Sequence, residues 1–175
     1  LGANAGFWSL CAIEAGADHV LGVDARAMHV EQAELVFAAK GIAPARYAFR
    51  QGDVHAIDLE AQAPFDVVLC LGLLYHVNDP VGLFRRLDAW TREALIVDTA
   101  VAPGDGAGFD LLRETSGDPR RVVGSDLVLR PTRGAVVELG RAAGFSVEVL
   151  EPRFSSWTGS ADFRDGRRLA FLCRR

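Results

Sequence analysis

Hydrophobic positions along this chain follow two rhythms. Short apolar runs bounded by turn residues predict strands, and longer segments with apolar residues three and four apart predict helices. An Ala-rich run from Ala5 to Ala15, closed by Gly16, predicts the first helix, and His19 to Val23 predicts a strand that ends in the acid Asp24. Ala27 to Lys40 predicts a helix with Val30, Ala33 and Phe37 inward and Glu31, Gln32 and Glu34 outward, stopped by Gly41. Arg46 to Arg50 is a short strand. Phe65 to Leu71 is almost continuously apolar, as a strand buried in a parallel sheet is. Asn78-Asp79-Pro80 caps a helix in which Val81, Phe84 and Leu87 face inward and Arg85, Arg86 and Asp88 face water. Ala94 to Asp98 is the next strand.

The rhythm then breaks, from Ala100 to about Leu129. Pro103 to Gly108 reads as a flexible loop and Arg113 to Asp126 as a polar, turn-rich stretch. An irregular segment of this length is more often functional than idle. Beyond it, Thr132 caps a helix ending at Gly144, and Phe145 to Leu150 is a strand. Pro152 to Gly166 loops out before a last strand, Leu169 to Cys173. Two closing strands with no helix between them predict an antiparallel hairpin at the sheet edge. The whole predicts one α/β domain over 1–175, doubly wound and mostly parallel, with an irregular insertion.

Within that frame the opening stretch carries the chemistry. Gly2 and Gly6 precede the first helix, and Asp24 follows about twenty residues on, at the end of the next strand. Glycines let a backbone approach a nucleotide closely, and an acid so placed can take ribose hydroxyls. A dinucleotide fingerprint would need G-x-G-x-x-G, but Asn4 stands at its second glycine and Phe7 at its third. The G-x-x-x-G loop suits an adenosine without phosphates, which points to S-adenosylmethionine (SAM). A strand must feed such a loop, and at most its last residue precedes Gly2 here. A central strand of the sheet is therefore expected upstream of Leu1.

Composition adds limits. With 175 residues, half of them hydrophobic, the chain can build one substantial core. No apolar run approaches a transmembrane length, so no membrane role is expected. Cys11, Cys70 and Cys173 lie scattered without metal spacing, which predicts free thiols in a reducing cytoplasm and no metal site. The net charge of −4 gives no general push toward nucleic acid. His19, His29 and His55 read as strand start, helix surface and loop.

The order of elements, with Gly2-Ala3-Asn4-Ala5-Gly6, Asp24, Gly52-Asp53-Val54 and the strand Phe65–Leu71, resembles the Rossmann-like class I SAM-dependent methyltransferases. Leu71-Gly72-Leu73-Leu74-Tyr75-His76-Val77-Asn78-Asp79-Pro80 is similar to the branch holding the tRNA wobble-uridine carboxymethyltransferases and related methyltransferases. The resemblance implies that Gly2, Ala3, Asn4 and Gly6 line the methionine part of SAM and that Asp24 accepts the ribose hydroxyls. It places Ala25 and Arg26 beside the adenine, Asp53 and Val54 at its edge, and Leu71 and Gly72 near the transferable methyl. Tyr75 matches a tyrosine that lies against the cofactor in that branch. His76 has the chemistry of a general base, and a histidine at a helix mouth can equally serve the neighbouring backbone. The basic and aromatic groups that grip a carboxylated cofactor in that branch lie upstream of the glycine loop, so SAM and carboxy-SAM both stay open.

Three functions follow. The first is methyl transfer to a small-molecule acceptor, which the sequence favours. The second is modification of tRNA, for which Arg113, Arg120, Arg121, Arg130 and Arg133 could track phosphates, although Asp110, Glu114, Asp118 and Asp126 are interleaved with them. The third is a non-catalytic SAM-binding module.

Overall fold

The computed structural model describes residues 1–113 and 127–175 and divides into two compact units, Leu1–Asp58 and Leu59–Arg175. The first unit runs α1 (Phe7–Glu14), β1 (Val20–Asp24), α2 (Ala27–Ala39) and β2 (Tyr47–Gln51). β1 and β2 pair in parallel, Val20 opposite Tyr47 through Asp24 opposite Gln51. The inward side expected of α2 is the one buried: Ala33 and Phe37 meet Leu10 and Ile13 of α1 and Phe49 of β2 in one apolar cluster. Burying a side chain such as Phe37 contributes roughly 1.5–3 kcal/mol. The helix stops at Gly41, where the Ile42 N–H donates to the Phe37 carbonyl and the Gly41 N–H to that of Ala38. Ile42 then folds back against the same cluster.

The second unit holds β3 (Phe65–Leu71), α3 (Pro80–Trp90), β4 (Thr91–Ala100), β5 (Phe109–Arg113), β6 (Leu127–Pro131), α4 (Arg133–Ala142), β7 (Ser146–Leu150), a short α5 (Ala161–Arg164) and β8 (Arg168–Arg174). Its main sheet has the order β3-β4-β8-β7, with β3 and β4 parallel and β8 antiparallel to both β4 and β7. The closing hairpin is thus present, with β8 inserted beside β4 and β7 outermost. Leu83, Phe84, Leu87 and Trp90 of α3 and Val136 of α4 are buried, together with Leu95 and Val97 of β4 and Phe171 of β8. Asp79 caps α3 by accepting from the Gly82 N–H at 2.8 Å, with Pro80 in the first turn. Burial pushes the thiols of Cys70 and Cys173 up to about 11, so both stay protonated near neutral pH. Cys11 is half-buried and also free.

Four expectations change. Val81 is half exposed because α3 turns Leu83, with Phe84 and Leu87, to the sheet instead. Val67 is likewise half exposed, so β3 buries alternate residues, Val68 and Cys70, rather than its whole length. The expected irregular segment contains an antiparallel ladder: β5 pairs with β6, Phe109 opposite Pro131 through Arg113 opposite Leu127. The loop before β5 is tethered, too. The Thr132 hydroxyl donates to the Gly106 carbonyl at 2.6 Å and accepts from the N–H groups of Gly108 and Ala135, each at 3.1 Å. One buried side chain therefore caps α4 and fastens the glycine-rich turn. Arg120 and Arg121, with Glu114, Asp118 and Asp126, lie outside the described residues. Of the other arginines in that group, Arg130 stands directly across the ladder from Asp110.

Candidate functional site

In the first unit the glycine loop folds on a left-handed backbone, with φ of 64° at Gly2, 48° at Asn4 and 82° at Gly6. The Ala3 N–H donates to the Val23 carbonyl and the Gly6 N–H to that of Ala3, each at 2.9 Å, which ties the loop to the end of β1. At Gly6 glycine is required twice, by its φ and by its neighbours. A Cβ there would lie 3.1 Å from Ala33 Cβ and Phe37 Cε2 and 3.2 Å from Phe49 Cζ. Asn4 tolerates its own left-handed φ, and its Oδ1 accepts from the Ala5 N–H at 2.7 Å.

Asp24 is the centre of this half. It is 9% exposed, so it is not the solvated carboxylate of an ordinary strand end. Its Oδ2 accepts from the Asn4 N–H at 2.9 Å, and its Oδ1 from the Arg26 N–H at 3.0 Å. The third partner is a correction to the sequence reading. His29, expected on the helix surface, is largely buried, and its Nδ1 lies 3.1 Å from Asp24 Oδ1. The first turn of α2 folds back over the end of β1, which brings a residue five positions on to the carboxylate. Ala25 is exposed, and its carbonyl accepts from Gln51 Nε2 at 3.2 Å. Arg26 is half-buried at the start of α2.

Asp53 and Val54 follow β2. Asp53 is exposed, and its Oδ1 accepts from the His55 N–H at 2.8 Å, a local cap on its own turn. Val54 is buried. His55 lies in the turn after β2, as expected, while His19 stands just before β1 rather than in it, and both are exposed.

In the second unit, Leu71 ends β3 and Gly72 follows with φ 69°, its N–H donating to the Asp98 carbonyl at 2.8 Å. A Cβ on Gly72 would stand 2.9 Å from Arg168 Nη2, so glycine is what lets that guanidinium lie over the strand end. A 3-10 turn, Leu74–His76, comes next. The rings of Tyr75 and His76 lie 4.0 Å apart. Arg168 donates from Nε to Asp98 Oδ1 at 2.6 Å, and its guanidinium stands 6.0 Å from the Tyr75 ring and 5.9 Å from that of Phe163. Burial pulls the Arg168 pKa down, but the hydrogen bond and charge of Asp98, helped by Tyr75, outweigh it and hold it above the ordinary arginine value. The sequence reading missed both members of this pair. Asp98 looked like a strand end and Arg168 like one of many arginines, and they stand 70 positions apart. Among the described residues no three His, Cys, Asp or Glu side chains converge as metal ligands, and no helix is long and apolar enough to cross a membrane.

A family model for the methyltransferase domain matches residues 1–94, more than half of the chain. The chain belongs to that family. A tRNA U34 carboxymethyltransferase from Alteromonas mediterranea is 25% identical over 182 residues, covering 94% of this chain and 52% of that protein. One from Trichodesmium erythraeum is 45% identical over 47 residues, 23% of this chain and 13% of that protein. The chain thus spans about half the length of the first relative and a smaller part of the second. Among solved structures, the N-terminal domain of EvdMO1 with SAH bound shares 25% identity at a TM-score of 0.77, covering 99% of this chain and 71% of that one. These findings place this methyltransferase domain in the class I SAM-dependent superfamily, with its Rossmann-like α/β fold.

SAM is the group this family implies, and the residues at Asp24 fit its nucleoside. A carboxylate offers about four lone-pair sites and no donor, and three of those of Asp24 are taken by N–H groups. What remains is acceptor capacity on a desolvated anion, the chemistry a ribose hydroxyl needs.

Proposed function

We propose that this methyltransferase domain binds SAM through the Gly2–Gly6 loop and Asp24 and serves transfer of its methyl group to a small-molecule acceptor. SAM supplies an electrophilic methyl on a sulfonium. The chain's share is to hold, orient and desolvate, which provide much of the rate in such a displacement. The observation that carries the reading is the buried Asp24 carboxylate, stitched to the glycine loop by Asn4. Ala3 and Asn4 offer backbone to the methionine part, Ala25 and Arg26 flank the adenine, and Asp53 with Val54 meets its edge. In the second unit the motif resemblance assigns Leu71 and Gly72 to the methionine end, Tyr75 to cofactor or acceptor, and His76 to the proton of a hydroxyl or ammonium acceptor. Free buried thiols support a reducing compartment.

Isothermal calorimetry on the full-length protein tests the reading. SAH should bind, and Asp24→Ala should weaken it by about 1–3 kcal/mol, the cost of removing a charged acceptor from hydroxyl donors. Unchanged affinity in a folded variant would withdraw Asp24, and tight NADH binding by the wild type would withdraw the cofactor.

Transfer to tRNA is the second reading, supported by the names of the two relatives. It carries its own signature. Phosphate contacts make affinity fall steeply with salt, by about a thousandfold or more between 50 and 200 mM for six or more contacts. The net charge of −4 and the place of the acid Asp110 directly across the ladder from Arg130 support the small acceptor instead. A gel shift of tRNA with flat salt dependence, or none, is therefore expected.

A further inference from the structure

We propose, on the reading of Asp24 as the ribose acceptor, that Asp24 reads one ribose hydroxyl rather than both, and that His29 is the positioning residue that makes it so. Asp24 has no donor of its own, so a hydrogen bond at 3.1 Å from His29 Nδ1 needs the proton on that nitrogen. The Nδ1–H then shares Oδ1 with the Arg26 N–H at 3.0 Å. Each carboxylate oxygen has about two lone-pair sites, so Oδ1 is filled. Among the described residues Oδ2 accepts from the Asn4 N–H alone and keeps one site.

Burial makes this count binding. The side chains of His29 and Asp24 are only 12% and 11% exposed, so solvent has little room to reshuffle the donors. The two backbone donors come from segments on either side of the carboxylate and fix which oxygen faces which way. With both sites of Oδ1 occupied from within, a ribose can dock on Oδ2 only, through a single hydroxyl. An acid at a strand end with no such neighbour would take the diol on both oxygens. The histidine thus converts a two-pronged acceptor into a one-pronged one.

The test is calorimetry on the full-length protein with SAH and its 2′-deoxy and 3′-deoxy analogues, each repeated in Asp24→Ala. The part of an analogue's loss that vanishes in Asp24→Ala is the part Asp24 supplies. One hydroxyl should show an Asp24-dependent loss of about tenfold, the scale of a hydrogen bond to a charged group, and the other should show less than about twofold. In His29→Leu, which keeps bulk and removes the donor, both hydroxyls should become Asp24-dependent. In His29→Asn, whose amide nitrogen takes the place of Nδ1, the one-sided pattern should persist. A merely structural histidine would shift SAH and both analogues equally. If Asp24→Ala does not fold, Asp24→Asn serves in the same comparison.

Two equal Asp24-dependent losses in the wild type would overturn the single-hydroxyl inference while leaving Asp24 as the ribose acceptor. A one-sided pattern that survives His29→Leu would remove His29 from it. If no loss depends on Asp24, the ribose reading fails, and the inference fails with it.

Discussion

Gly6→Ala should destabilise the protein by about 3 kcal/mol, the sum of a left-handed alanine at roughly 1–2 kcal/mol and overpacking of roughly 1–3. The backbone at Gly6 holds φ 82°, which an alanine resists. Its new methyl would also press on Ala33, Phe37 and Phe49 at once, and two of these are aromatics of the buried cluster. Relief requires α1 to move away from α2 and β2, and the loop moves with it. SAH affinity should therefore fall beyond calorimetric detection. Asn4→Gly is the contrasting change, because it keeps a left-handed φ accessible and loses mainly an exposed bond to the Ala5 N–H. It should alter stability by less than about 1 kcal/mol. Urea unfolding of both variants decides the matter. A Gly6→Ala midpoint equal to wild type would show that the loop's packing on the cluster is softer than its distances imply.

Asp98→Ala should cost about 2–3 kcal/mol, somewhat under the 3–5 typical when one partner of a fully buried pair is removed. The side chains of Arg168 and Asp98 are 25% and 15% exposed, so part of the field is screened by water. Without the carboxylate, the guanidinium stays fixed over Gly72 between two rings with its main counter-charge gone. The double variant Asp98→Ala with Arg168→Ala should be less destabilised than the sum of the single changes. Thermal unfolding of all four proteins supplies that cycle. Strict additivity would show that the two side chains do not interact energetically.

What the sequence disclosed depended on how far apart the cooperating residues stand. Strand Phe65–Leu71, the capped start at Asp79-Pro80 and the helix after Thr132 were readable because their signals are local. The β5–β6 ladder was not. Phe109, Asp110 and Leu111 are all exposed, so no alternation of buried and solvated positions marks the strand. Thr132 was recognised as a cap, but its hold on Gly106 and Gly108 reaches back 26 and 24 residues and leaves no local trace. At the site, the glycine loop and Asp24 followed from spacing. His29 did not, because helical periodicity describes which face of α2 packs on its neighbours and says nothing about a first turn folded over a strand end.

The place of β8 between β4 and β7 also sets an order of events on the ribosome. Asp98 of β4 leaves the exit tunnel 70 residues ahead of its partner Arg168. At ordinary elongation speeds that is a wait of roughly 4–14 seconds. Throughout it, the flank of β4 that β8 will cover is an unpaired apolar edge, Leu95-Ile96-Val97, of the kind that recruits other nascent chains. Completion of the second unit's sheet is therefore a late step in biosynthesis, and chaperone demand should concentrate in that interval.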